Sequence, residues 1–149
     1  MKISDFFSTF NISAAGLSAE KRRLAITAEN IANANTTRTA DGTPYRRKTT
    51  IFQTVPIEDD SFESHFKNSQ EDMIYGVKVS GIVPVSGDLK KIFDPSHPDA
   101  DQTGFVYLPN VNLVEEMVHM LNANRSYEAN ASAIRAAKEM ALKALDIGR

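Results

Sequence analysis

The chain has no cysteine among its 149 residues. It therefore forms no disulfide, no thiolate metal site and no thiol redox couple. No stretch approaches 18 consecutive apolar residues, so we expect no membrane-spanning helix and no direct insertion into a membrane. The first 16 residues carry one basic side chain, Lys2, and Asp5 and Asn11 interrupt their apolar character. We expect no Sec-type signal peptide in this segment.

Patterns that support catalysis or ligand binding are also missing from the sequence. It has no glycine-rich phosphate loop and no nucleophile elbow, and none of its three histidines has the helical spacing of a zinc-ligand pair. Residues 99–104 resemble the start of a calcium loop, but Asn110 stands where the bidentate glutamate is required. We interpret this segment as a turn whose aspartates bond to their own backbone. We predict no metal and no cofactor, and an enzyme with a dispersed site within 38–110 is only an alternative.

Charge is distributed unevenly along the chain. The net charge is −2, but residues 1–50 carry eight basic and four acidic side chains, whereas residues 51–110 carry four basic and ten acidic ones. Opposite charges of this kind favour attraction across a subunit contact, and two solvated surfaces are the alternative. The basic residues Arg38, Arg46, Arg47 and Lys48 are the one nucleic-acid candidate. Since no recognition motif accompanies them, we expect no nucleic-acid partner and favour a salt-bridging surface that meets the acidic loop of a neighbouring subunit.

Long helical patterns occupy the two ends of the chain. Apolar residues repeat every three or four positions over residues 4–34 and again over about 111–147, which predicts two long helices. Gly16 lies inside the first pattern and makes a break or bend there plausible. Each apolar stripe is too narrow to be buried on all sides and too long to be left in water. The pattern therefore favours subunits that bury their terminal helices against one another.

The middle of the chain has a different character, since all six prolines lie within residues 38–110. Short strands are predicted at 45–52, 77–83, 90–93 and 104–108, and a mobile acidic loop at 53–73. The fold class predicted is α+β, with long terminal helices forming a coiled-coil-like assembly domain and a small β-rich middle segment. The predicted division is an assembly helix at 1–36, a β-rich and loop segment at 37–110 and a second assembly helix at 111–149.

The predicted assembly interface consists of apolar residues on the two stripes and two asparagines near the end of the first helix. Its members are Phe7, Phe10, Leu17, Leu24, Asn30, Ile31, Asn33, Leu113, Met117, Met120, Tyr127, Ile134 and Leu145. An alternative use of the same helices is a soluble two-helix adaptor that binds a single protein partner.

Several segments resemble one family closely in their order and spacing. Residues 27–37 (TAENIANANTT) and 38–48 (RTADGTPYRRK) resemble the N-terminal signature of bacterial flagellar rod, hook and filament proteins, in the form found in basal-body rod subunits. Residues 94–101, 109–117, 124–130 and 141–148 resemble the same proteins. The departure is Glu29, which stands where the family often has a small polar residue. The resemblance covers nearly the whole chain except about 53–73.

This resemblance implies a structural subunit of the proximal rod of the flagellar basal body, which lies in the periplasmic space. It implies export through the flagellar type III apparatus without a cleaved Sec signal. The partners implied are further copies of the chain, other rod proteins, and inner-membrane ring and rod-adaptor proteins. The terminal helices would line the export channel and transmit torque. By analogy, Asn30, Asn33 and Asn35 would satisfy backbone groups at the end of the first helix.

Overall fold

The computed structural model of the protein describes residues 3–57 and 74–147, with side chains at 8–57 and 74–146. The described elements run in the order α1 (Ile3–Ala32), β1 (Lys48–Pro56), β2 (Tyr75–Pro84), β3 (Lys90–Phe93), β4 (Phe105–Leu108) and α2 (Leu113–Ile147). This is the α+β arrangement predicted, with long helices at both ends and short strands between them. The side chain of Phe7 and residues 58–73 of the predicted mobile loop lie outside the described residues.

Helix α1 runs without interruption for 30 residues, so the break considered at Gly16 does not occur. A Cβ atom at Gly16 would lie 2.9 Å from the side-chain nitrogen of Asn130 on α2. Glycine at this position therefore allows the Asn130 side chain to lie directly against the α1 backbone. The helix ends in a turn after Ala32, where the side-chain amide of Asn33 donates to the Glu29 carbonyl at 2.9 Å.

Strands β1 and β2 form a two-stranded sheet. The backbone nitrogen of Val85 donates to the Arg47 carbonyl, and that of Ile57 donates to the Ile74 carbonyl. The strands therefore run in opposite directions. The prediction of a loop from residue 53 is wrong for residues 53–56, which continue β1. Thr54 and Val55 are β-branched and therefore favour an extended backbone. This preference outweighed the weak periodicity of apolar residues in the segment.

Strands β3 and β4 form a second, antiparallel pair, in which Lys90 lies opposite Leu108 and Phe93 opposite Phe105. The loop between them is held by aspartate turns. The Oδ1 atom of Asp101 accepts hydrogen bonds from the backbone and hydroxyl of Thr103 at 2.7 and 2.6 Å. The hydroxyl bond is the largest cause of the lowered pKa of Asp101. This geometry confirms the interpretation of the segment as a turn.

The described chain divides into two compact units. The terminal unit contains residues 3–21, 52–57, 74–80 and 124–147, and the central unit contains Arg22–Ile51 and Gly81–Ala123. In the terminal unit the buried residues include Ser13, Ala19, Val79 and Ala137. In the central unit they include Thr27, Asn30, Tyr45, Val106, Val111, Glu116 and Ala123. No helix in the described part of the chain is long and apolar enough to cross a membrane.

Candidate assembly surface

Asn30 is the centre of a buried polar network in the central unit, with 1% of its surface exposed. Its side-chain nitrogen donates to the Lys48 carbonyl at 2.8 Å and to Oε2 of Glu116 at 2.9 Å. Its side-chain oxygen accepts from the Tyr45 hydroxyl and the Lys48 backbone nitrogen, both at 2.9 Å. Both donors and both acceptor positions of the amide are used. One side chain thus connects α1, the loop after it, the start of β1 and α2.

Glu116 supplies the buried charge of this network and is also 1% exposed. A buried carboxylate is costly unless it is paired and hydrogen-bonded. The Nε atom of Arg47 donates to Oε1 of Glu116 at 2.7 Å, and Asn30 donates to the other oxygen. The backbone nitrogen of Arg47 donates to the side chain of Asn110 at 2.9 Å, and Asn110 in turn donates to the Val85 carbonyl. Both oxygens of the carboxylate therefore have a donor, and the guanidinium that balances its charge is held in place.

Tyr45 closes the network on the side of the loop. Burial, followed by the negative charges of Glu29 and Glu116, raises the pKa of its hydroxyl from 10.0 to about 12. The phenol therefore stays protonated at neutral pH and donates its hydrogen to Asn30. The ammonium of Lys48 lies 5.5 Å from the centre of the Tyr45 ring and 2.6 Å from Oε1 of Glu29. We call Asn30, Tyr45, Arg47, Lys48 and Glu116 the polar node.

The basic run singled out in the sequence forms its salt bridges within the chain. Arg47 pairs with Glu116, Lys48 with Glu29, and Arg38 lies 3.7 Å from Asp99. Three of the four basic side chains therefore face carboxylates of the same chain. The described residues contain no group of three or more histidine, aspartate or glutamate side chains placed to hold a metal ion.

The predicted interface residues have very different environments. Phe10, Leu17, Leu24, Ile31, Asn33, Met120 and Ile134 are half-buried. Leu113, Met117, Tyr127 and Leu145 are exposed, with 43%, 46%, 38% and 70% of their surface accessible. Asn30 is buried. It satisfies the backbone of Lys48 and not the end of its own helix as the family resemblance implied, whereas Asn33 does bond to a carbonyl of α1.

Sequence reasoning missed five exposed apolar residues on α2, namely Val114, Val118, Leu121, Met140 and Leu142. The signal of the first three was present, because two apolar rows with a spacing of four run side by side from Leu113. It also missed that small and polar residues form the buried positions of the helices, among them Ser13, Thr27, Ala123 and Ala137. Small and polar residues therefore fill buried positions on the helices, whereas larger apolar side chains such as Val114 and Leu121 are exposed.

The two helices contact each other within one chain. Gly16 lies against Asn130 in the terminal unit, and Asn30 bonds to Glu116 in the central unit. The adaptor alternative requires such pairing within a monomer, and an assembly subunit is compatible with it as well. Helix pairing therefore does not separate the two functions, and similarity to known proteins has to decide.

Comparison with known proteins identifies the same family from both ends of the chain. Residues 10–38 match the family model described as flagella basal body rod protein, and residues 102–147 match that of the flagellar basal body rod FlgEFG protein C-terminal region. The flagellar basal-body rod protein FlgC of Borreliella burgdorferi is 42% identical over 147 residues, which cover 95% of this chain and 96% of the relative.

Two further relatives are similar in sequence to this chain along nearly their full length. The FlgC protein of Bacillus subtilis is 38% identical over 96% of this chain and 98% of its own. That of Salmonella typhimurium is 36% identical over 94% of this chain and 96% of its own. These similarities extend over both helices and the middle segment, and the family resemblance noted in the sequence is confirmed. The chain belongs to the FlgC family of flagellar basal-body rod proteins and is a structural subunit of that rod.

Proposed function

We propose that this subunit belongs to the proximal rod and assembles there with copies of itself and with other rod proteins. In this proposal it also meets the inner-membrane ring and rod-adaptor proteins, lines the export channel and transmits torque. The chain would reach the periplasmic space through the flagellar type III apparatus without a cleaved Sec signal. The chain's similarity to a flagellar basal-body rod protein over 95% of its length supports this proposal.

One observation carries the assembly part of the proposal: large apolar side chains are exposed on α2. Met117 is 46% and Leu145 is 70% exposed. Single exposed apolar residues are ordinary, but rows of them along a helix are typical of a surface that another molecule covers. In a shaft built from many copies, each such contact is repeated, so a modest free energy per contact adds up to a stiff structure.

The polar node supports a role of the central unit in transmitting torque. It joins α1, β1 and α2 through buried or partly buried hydrogen bonds of 2.7 to 2.9 Å. Fully satisfied buried polar networks rigidify the elements they join. A subunit that transmits torque needs such fixed connections, because loose elements would absorb the rotation.

The test replaces exposed apolar residues with aspartate in cells whose own copy of the gene is deleted. Met117→Asp and Leu145→Asp should fold as the wild type does, since both side chains are exposed, but should be lost from purified basal bodies. A buried, unpartnered charge at a subunit contact disfavours assembly. Asn122→Asp is the matched control, because Asn122 is an exposed polar residue of α2. Circular dichroism of the purified chains checks the fold.

Wild-type swimming and basal-body content for both apolar variants would contradict the proposed assembly through α2. Electron microscopy of basal bodies from the deletion strain should show incomplete rods. Complete rods in cells that lack the chain would contradict its proposed place in the proximal rod.

A further inference from the structure

One face of α2 in the central unit is apolar and uncovered. Leu113, Val114, Met117, Val118 and Leu121 are 43%, 68%, 46%, 49% and 59% exposed. Their spacing places Leu113, Met117 and Leu121 in one row and Val114 with Val118 in the next. We call these five residues the outer α2 face. It is distinct from the side of the helix that carries the buried Glu116 and Ala123.

The same unit carries a row of exposed small side chains on α1. Ala25, Ala28 and Ala32 are all exposed, and their spacing of three and four places them on one side of the helix. A row of small side chains forms a shallow groove that accepts the ridge of a neighbouring helix. We call these residues the α1 alanine row. Large side chains on one helix and small ones on the other allow two helices to approach closely.

Charge at the edges of the two surfaces indicates how they align. Arg22 precedes the α1 alanine row, and Glu115 borders the outer α2 face; both are exposed. Within the described residues neither side chain has an ion-pair partner. In parallel packing Arg22 lies beside Glu115. Ala25 then lies beside Val118 and Ala28 beside Leu121, because three residues separate successive members on each helix. Antiparallel packing moves Glu115 to the other end of the α1 alanine row, away from Arg22, and leaves both charges unpaired.

We propose that the outer α2 face of one copy packs in parallel on the α1 alanine row of a second copy. This proposal rests on the proposed rod function and names the partner of one assembly surface. The two surfaces are different and lie on the same chain, so the contact is heterologous and repeats from copy to copy. A contact of α2 with α2 around a twofold axis would leave Arg22 unpaired and would end at a dimer.

Cross-linking tests this pairing directly, because the chain has no cysteine of its own. Two differently tagged full-length chains, Ala25→Cys and Val118→Cys, are produced together in cells that lack the wild-type copy, and their basal bodies are oxidised. A disulfide forms only where Cα atoms approach to about 4.4–6.8 Å. The matched control pairs Val118→Cys with Ala40→Cys, an exposed alanine of the same unit outside both helices.

We expect a disulfide-linked dimer carrying both tags for the Ala25→Cys and Val118→Cys pair, and none for the control pair. Two results would overturn the proposal while leaving the rod function intact. One is the absence of this dimer from basal bodies that contain both tagged chains. The other is a dimer formed by Val118→Cys alone, which would indicate an α2–α2 contact. If the tagged wild-type chain is itself absent from basal bodies, the proposed function fails and this inference with it.

A charge exchange covers the case in which cysteine variants do not assemble. Arg22→Glu and Glu115→Arg should each lower the amount of chain in basal bodies, on the order of threefold, by placing like charges together. The double variant should restore it. If the double variant is no better than the weaker single one, Arg22 and Glu115 do not meet and the parallel alignment is wrong.

Discussion

Replacing Asn30 with alanine removes the centre of the polar node. The change deletes four hydrogen bonds of 2.8–2.9 Å, and it leaves the Tyr45 hydroxyl, both backbone groups of Lys48 and one oxygen of Glu116 without that partner. At a net ~0.5–1.5 kcal/mol for each bond the loss lies at roughly 2–6 kcal/mol. Water that enters the space left by Asn30 restores some of these hydrogen bonds. We therefore expect the free energy of unfolding to fall by about 3 kcal/mol. A typical domain has about 5–15 kcal/mol in total, so this is a large fraction of its stability.

The assay is urea unfolding of the purified chain, followed by circular dichroism, for the wild type, Asn30→Ala and Asn33→Ala. Asn33 is the matched control, since it is an asparagine of the same helical end with one bond to a carbonyl of α1 and one from the Thr36 hydroxyl. Asn33→Ala should lower the free energy of unfolding by about 1 kcal/mol. If the two variants lose equal stability, the node does not hold the central unit together, and the reasoning from buried hydrogen bonds is refuted.

Two further predictions concern the loop after α1 and the node in alkali. Gly42 has a φ angle of +76°, so Gly42→Ala should cost about 1–2 kcal/mol in thermal or urea unfolding. Gly81→Ala is the control, because a Cβ there meets nothing within 4 Å and its φ angle is ordinary; equal losses would contradict the strain argument. The pKa of Tyr45 is about 12 in the folded chain against an ordinary 10.0, so its stabilisation is complete below pH 10 and is lost as the pH rises towards 12. Between pH 9 and pH 11.5 the free energy of unfolding should fall less for Tyr45→Phe than for the wild type. An identical fall in both chains would contradict the raised pKa of Tyr45.

The helices were predictable because their signal is local. Apolar spacing of three and four residues over 30 positions is enough to identify α1 and α2, and their observed bounds differ from the prediction by one or two residues. The strand pair at 90–93 and 105–108 was recognised for the same reason, since its flanking turns carry proline, glycine and aspartate. The error at residues 53–56 has a physical cause as well. Pairing with β2 stabilises an extended backbone there, and β2 begins 19 residues after the end of β1, from Pro56 to Tyr75.

The polar node was not predictable from the pattern of residues. Asn30 and Glu116 are 86 positions apart, and each has an ordinary place on a helix as a polar residue that solvent would satisfy. Nothing in a single sequence states that both are 1% exposed. The basic run shows the same limit. Arg47 and Lys48 were predicted to form salt bridges with the acidic loop of a neighbour. Their carboxylate partners instead lie on α2 and α1 of the same chain and follow only from the packing.

The sequence alone determined the two terminal helices, the α+β class and the flagellar family, because periodicity and ordered motifs are properties of the chain itself. The tertiary structure decided which side of each helix is covered. It placed small and polar residues at the buried contacts and left Leu113, Met117 and Leu145 exposed on α2. Transfer of an apolar side chain out of water is favourable. The tertiary structure determines whether residues of the same chain or of a neighbouring molecule bury it.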